Sequence, residues 1–200
     1  MNFDTMKIFD ISQEVLSCEV FPDDPVPQGE KIKSMEQGEL YNLSVLSMCA
    51  HNGTHIDAPA HFLRHGKTVE QLSIETFVGN CFVVYHQGNM TGEDAQIALQ
   101  KAKAAGVTER ILIAGDATVT ADAAKVFAAS GVRLIGNESQ TVGSKEAPME
   151  VHLILLNAGI VLLEGIVLKN VAEGKYFLSA APLNFAGFEG APCRAYLIKI

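Results

Sequence analysis

Apolar and polar positions alternate in short runs over residues 6–12 and 14–21, a period of two that predicts two brief strands near the amino terminus. The stretch from Phe21 to Pro27 that follows carries three prolines and is predicted to be an irregular loop of fixed shape, suited either to walling a pocket or to a plain surface connection. Tyr41 to Ala50 predicts a further strand, and Leu63 to Thr68 a turn. Phe77 to His86, rich in Val and Phe, is long enough for a buried strand.

Beyond that point the period lengthens. Thr91 to Asp94 has the composition of a capping box, opening a helix that carries Ile97, Ala98, Lys101 and Ala105 and stops at Gly106. Ile111 to Ala114 predicts a buried strand, Thr120 caps a second helix ending at Gly131, and Val132 to Ile135 predicts another short strand. Helix and strand in alternation imply a partly parallel sheet. Asn137, Glu138, Ser139 and Thr141 then lie just past a strand's carboxyl end, a usual place for ligand contacts in α/β folds and equally a place for a solvated loop. Pro148 opens a helix that contains His152 and ends at Gly159, and four aliphatics, Ile160 to Leu163, run into Glu164. A carboxylate in that position is expected to be buried, where its charge is costly unless a cation or donor meets it. Lys175 to Leu183 and Ala191 to Ile200 predict closing strands, joined through turns at Gly187 and Gly190. The fold class is therefore α/β, one domain over residues 1–200 built on a mixed sheet.

Composition narrows the partners. With 48% hydrophobic and 19% charged residues the chain suits a globule with a substantial core, and a formal net charge of -8 without any dense Lys/Arg cluster argues against nucleic acid or an anionic membrane as partner. A small-molecule ligand is expected instead. The first residues lack an apolar signal core and no stretch reaches eighteen uninterrupted apolar residues, so a soluble, cytoplasmic protein is expected. Cys18, Cys49, Cys81 and Cys193 show no Cys-x-x-Cys spacing and are expected to be reduced. Cys49 shares its parity with His51, yet a role as a small core hydrophobe is the simpler one.

Chemistry concentrates in residues 51–62, His-Asn-Gly-Thr-His-Ile-Asp-Ala-Pro-Ala-His-Phe, which hold three of the six histidines. A helix would turn Asp57 away from His51 and His55 and be interrupted by Pro59. An extended run aims His51, His55, Asp57 and His61 to one side. His55 and Asp57 would then have Cα atoms roughly 6 to 7 Å apart, close enough to share an ion, whereas His51 would stand roughly 13 Å from His55 unless the chain bends at Gly53. Any one of these histidines alone would be read as a surface or core group, and so are His65 and His86, which lie outside the register. Three in phase with a carboxylate would each need a separate partner, and one divalent cation satisfies all of them. Nitrogen and oxygen ligands without thiolate suit Zn²⁺ first and Mn²⁺ second.

These residues resemble the cyclase-like metal-dependent hydrolase family that includes bacterial kynurenine formamidase and isatin hydrolase. The family carries His-x-Gly-Thr-His-x-Asp-x-Pro-x-His-Phe, matched here at every specified position of 51–62. Weaker matches lie at Asp10-Ile-Ser with the downstream Phe21–Pro25 loop, at Gly131 to Gly136, and from Pro182 to Ala195. The resemblance implies a swivelling β/β/α fold in a homodimer or larger homo-oligomer. It implies one or two metal ions per subunit, His51, His55 and Asp57 holding one while Asp57, His152 and Glu164 contribute to the second. His61 matches the family's catalytic histidine, implying general base and acid work on an amide. Gly115 to Val119 leads promptly into a helix, where formamidases of the family carry a longer aromatic-containing stretch, and the chain has no tryptophan; this weakens N-formylkynurenine as the specific substrate and leaves a small amide, formamide or lactam as the expectation. Glu138 stands where the family has a shorter Asp. The alternatives are a metal-dependent cyclase or dehydratase acting on a small carbonyl compound, and a non-enzymatic module binding metal or a small ligand.

Overall fold

Segments of period two and period 3.6 alternate through the middle of the chain, and the computed structural model, which describes residues 6–199, folds them into one large mixed sheet with three helices. In chain order the strands and helices begin with β1 (Ile8–Asp10), β2 (Gln28–Lys33), β3 (Leu43–Ser47), β4 (His55–Asp57) and β5 (Val78–Tyr85). Then come β6 (Gly88–Met90), α1 (Gly92–Ala104), β7 (Arg110–Ala114), β8 (Ala117–Val119), α2 (Ala121–Ala128) and β9 (Leu134–Asn137). The chain closes with α3 (Met149–Asn157), β10 (Val161–Glu164), β11 (Gly174–Ser179), β12 (Gly190–Pro192) and β13 (Tyr196–Ile198).

Nine strands form the main sheet in the order β1-β13-β11-β5-β7-β9-β10-β4-β12. The middle four, β5, β7, β9 and β10, are mutually parallel, and the strands on either side pair antiparallel. Parallel neighbours need crossovers, which α1, α2 and α3 supply. Because strand residues alternate between faces, Phe82, Val84, Ile111, Ile113, Ile135 and Leu162 join the buried helix residues in one core cluster, while Cys81, Val83, Leu112, Leu134 and Leu163 form a second on the opposite face. Each fully buried Leu, Ile or Phe among them contributes about 1.5–3 kcal/mol. Ala95, Ala98 and Ala102 give α1 a small-residue stripe against that first cluster.

Local signals set the helix ends. Thr91 accepts from the Asp94 amide while the Asp94 carboxylate accepts from the Thr91 amide, a complete capping box. Thr120 caps α2 and also donates to the Met90 carbonyl at 2.7 Å, tying that helix to β6. Gly159, at φ 75°, ends α3 in the left-handed region.

Several expectations need correction. Residues 14–21 form no strand: the Glu14 carboxylate caps a single 3-10 turn at Val15–Ser17. Local capping there offers the backbone a closer partner than any sheet edge. Lys175–Leu183 pairs only as far as Ser179, and Ala191–Ile200 is divided between β12 and β13. The strand β2, which follows the proline loop, has no clear alternation; it pairs with β3 in a separate two-stranded sheet whose side chains are almost all exposed. Residue 200, at the end of the last expected strand, lies outside the described residues.

Candidate metal centre

The extended array expected over 51–62 exists only as the three residues of β4, and that restriction builds the site. Asp57 sits opposite Leu162 and His55 opposite Glu164 in the antiparallel ladder with β10. Leu162 belongs to the helix-side core, so Asp57, His55 and Glu164 all project from the same face of the sheet. Ile56, pointing the other way, packs in the opposite core beside Leu163. From above that face α3 lowers His152 onto the same spot, buried like the other three.

Four side chains thus converge. The ligand-capable atoms of His55, Asp57 and Glu164 lie within 4.8 Å of one another. His55 Nε2 is 3.3 Å from Asp57 Oδ1 and 3.6 Å from Glu164 Oε2. His152 Nε2 is 3.5 Å from Asp57 Oδ2 and 3.4 Å from Glu164 Oε1. Each carboxylate thus offers one oxygen to His55 and the other to His152, a nitrogen and oxygen donor set that fits a divalent cation.

The chemistry of the donors agrees with that fit. His55 Nδ1 is 2.9 Å from the Gly53 carbonyl and His152 Nδ1 is 2.8 Å from the Pro148 carbonyl. A carbonyl only accepts, so each Nδ1 must carry the proton, which leaves Nε2 as the atom turned to the carboxylates. His55 Nε2 and Asp57 Oδ2 are buried without a hydrogen-bond partner. Without a cation the cluster is balanced by protons. Burial pushes His55 and His152 down, but the nearby Asp57 and Glu164 carboxylates outweigh it and raise both to about 10. Burial pushes the Asp57 carboxyl up, and the imidazoles of His152, His51 and His55 outweigh that in turn, holding it well below the usual carboxylate range. A divalent cation can replace those protons.

His51 arrives by the bend expected at Gly53, whose φ is 66°. Asn52 shapes that turn, its side chain accepting from the Cys49 amide at 2.8 Å. The rings of His51 and His55 are therefore only 5.1 Å apart. His51 Nδ1 and His55 Nε2 both meet Asp57 Oδ1, at 2.8 and 3.3 Å, while His152 Nε2 meets Asp57 Oδ2 at 3.5 Å and Glu164 Oε1 at 3.4 Å. His51 also forms a close group with Asp57 and His61. The ladder of β4 with β10 adds the approach of His55 to Glu164.

His61 is carried on a 3-10 turn, Pro59–His61, and not on the strand. Its ring stacks on His51 at 4.1 Å and stands 6.0 Å from His152. Burial lowers its pKa, with the charge of Asp57 opposing and His51 and His152 assisting. A cavity of about 220 Å³ opens beside these rings, lined also by Phe21, Asp24, Phe62, Gln140, Thr141 and Pro148. The proline loop is thus a pocket wall, through Phe21 and Asp24.

Glu138 lies elsewhere. Its carboxylate accepts from the amides of Gly115 and Leu168, both at 2.7 Å, joining the loops after β7 and β10. Cys49 does not line this cavity; its sulfur accepts from the His51 amide at 3.4 Å and lies 3.8 Å from Asp24, and burial raises the thiol's pKa. Sequence reasoning missed the site roles of three residues, Glu189, Gly190 and Gln140. Glu189 Oε1 is 3.3 Å from His51 Nε2, and Gly190 packs so tightly that a Cβ would sit 2.6 Å from His51 Cε1. Their signal was the Gly190-Ala-Pro match, which marks a close approach without naming its target. Gln140 carried none, sitting unremarked between Ser139 and Thr141.

Comparison with known proteins follows this geometry. A family model described as "Putative cyclase" matches residues 9–143. A kynurenine formamidase of Salinibacter ruber is 32% identical, the match covering 96% of this chain and 97% of that protein. Among solved structures, one described as a potential metal-dependent hydrolase with cyclase activity superposes with a TM-score of 0.80 at 27% identity, covering 98% of each chain. Isatin hydrolase A from Labrenzia aggregata shares the fold, with a TM-score of 0.82 at 20% identity over 96% of this chain and 93% of that one.

Proposed function

The chain belongs to the cyclase family of metal-dependent hydrolases, and from that premise we propose that it hydrolyses the C–N bond of a small amide, formamide or lactam. The observation that carries this reading is the buried quartet His55, Asp57, Glu164 and His152, with Nε2 of His55 and Oδ2 of Asp57 unpartnered beside an open cavity. Those four residues would hold a divalent cation, and His51 with Asp57 would hold a second. A cation so bound would polarise the substrate carbonyl and lower the pKa of water. Zn²⁺ is favoured by the mixed imidazole and carboxylate set, with Mn²⁺ the alternative.

The chain's own residues supply the rest. His61 faces the cavity with a depressed pKa, so its neutral ring takes a proton from water and returns it to the departing nitrogen. Stacking on His51 fixes its plane. Phe21 and Phe62 give the cavity apolar walls, and about 220 Å³ lies below the ~300–1,000 Å³ of drug-sized sites, so the substrate is small. Curated relatives named for a formamidase favour hydrolysis over cyclisation or simple binding. The test is turnover of aryl formamides and lactams by wild type and His61→Ala, each loaded with Zn²⁺ or Mn²⁺ and checked for metal content. A loss of about 10²–10⁴-fold with metal retained is expected; equal, negligible turnover by both removes the assignment.

The protein is also assigned to a homodimer or larger homo-oligomer. The β2–β3 sheet is a lone two-stranded hairpin with Ile32, Leu43, Val45 and Leu46 exposed, and such a ribbon is marginal in water unless something covers it. A second copy is the occupant proposed. Four free cysteines fit a reducing, cytoplasmic setting, and among the described residues no helix is long and apolar enough to cross a membrane.

A further inference from the structure

Two side chains in the cavity wall each keep one polar atom without a partner. Gln140 and Thr141 follow β9, are 5% and 3% exposed, and line the same cavity as His61 and Glu164. Gln140 Nε2 donates to Gln13 Oε1 at 3.2 Å, while its own Oε1 is a buried acceptor with nothing to accept. Thr141 Oγ is buried and unpaired as well. Most buried polar groups are hydrogen-bonded, so a pair of orphans on two residues that line one cavity calls for a polar occupant.

The segment that carries them is held firmly. The Val142 amide donates to Glu164 Oε1 at 2.7 Å, and its carbonyl accepts from Val119 at 2.9 Å. Asn137 Nδ2 donates to the Thr141 carbonyl at 2.9 Å. The Gly165 amide donates to the Ser139 carbonyl at 2.8 Å, and a side chain at Gly165 would collide with Gln140 Nε2. Gln140 and Thr141 are therefore set at a fixed place relative to the Glu164 carboxylate.

We infer that Gln140 and Thr141 are the specificity-determining pair that reads the substrate's amide: Gln140 Oε1 accepts the amide N–H, and the Thr141 hydroxyl donates to the acyl oxygen. The inference rests on the hydrolase reading and deepens it. An amide with one N–H satisfies the buried acceptor, whereas an N-alkylated amide leaves it unpaired and brings an extra methyl against it. The enzyme thus selects secondary amides and N–H lactams over their N-methyl counterparts, with the aryl or alkyl body lying toward Phe21 and Phe62.

Binding to the metal-free protein tests the pair without turnover. Calorimetric or NMR titration with formanilide and N-methylformanilide should show wild type preferring the N–H compound by about 10- to 100-fold. Gln140→Met should bring the two within about twofold by weakening only the N–H compound, and Thr141→Val should weaken both alike. Equal affinity of wild type for the two, or an equal loss of both in Gln140→Met, overturns the inference. Thermal midpoints of the variants identify misfolding; should Gln140→Met fail to fold, the wild-type ratio and Thr141→Val still decide. Turnover by the Zn²⁺- or Mn²⁺-loaded wild type is scored separately. Selective binding with no turnover of either compound refutes the hydrolase reading, while turnover without N–H selectivity refutes the role of this pair.

Discussion

His55 and Glu164 face each other directly across the antiparallel ladder of β4 and β10, far apart in the chain yet 3.6 Å apart at their tips. The pairing register alone decides that meeting. A slip of one residue would turn Ile56 toward Glu164 and carry His55 and Asp57 to the opposite face.

Asp57 is the hub of the cluster, in reach of His51, His55 and His152. Asp57→Asn is expected to weaken Zn²⁺ binding by at least ~100-fold. It should also destabilise the metal-free protein by about 3 kcal/mol or more, since His51, His55 and His152 lose the one carboxylate they share. Metal titration followed by urea unfolding measures both; unchanged affinity would remove Asp57 from the ligand set.

Proton and metal compete, with opposite signs against pH. In the metal-free protein His55 and His152 are raised from 6.5 to about 10, so the stability they contribute is complete below 6.5 and is lost as pH rises through 10. Asp57 is lowered below 3.8, so its contribution is present above 3.8 and is lost as pH falls through its folded value. Metal-free stability should therefore peak between those limits. The extra stability conferred by metal should instead grow from pH 6 to pH 8, because ligation needs neutral imidazole. Thermal melts with and without chelator across that range should diverge; parallel curves would contradict the site.

Gly190 leaves room for His51. An added Cβ would lie 2.6 Å from His51 Cε1 and 2.9 Å from the Ile56 carbonyl, and the backbone atom cannot rotate aside. Gly190→Ala should cost about 1–3 kcal/mol of stability. It should also lower kcat/KM by roughly tenfold or more, as a displacement near 1 Å at a catalytic group does. Retained activity with a lowered melting temperature would show that His51 tolerates the shift.

The hairpin predicts an assembly. Val45→Lys with Leu46→Glu adds charge to the exposed β2–β3 sheet, and light scattering should then report monomer where wild type gives a dimer or larger species. A monomeric wild type would leave the exposed apolar ribbon without the partner assigned to it.

Local chemistry was legible wherever a short stretch settles its own conformation. Thr91 with Asp94, Thr120, Pro148 and Gly159 mark helix ends through bonds within a few residues, and the bend at Gly53 follows from its freedom at positive φ. The histidine-rich motif declared its chemistry because imidazoles and a carboxylate at that spacing have few other uses. Residues 14–21 misled, since a carboxylate cap imitates nothing visible in the alternation of the strand.

By itself the sequence determined the helical and parallel core, the cluster of ligand-type side chains in residues 51–62 and the family, because periodicity, caps and ligand type are properties of neighbouring residues. Only the tertiary structure decided which histidine stands with which carboxylate, that Glu189 and Gly190 confine His51, and that Gln140 opens onto the cavity. Those relationships are fixed by strand order and register between segments more than eighty residues apart, and no pattern within one segment encodes the face on which another will lie.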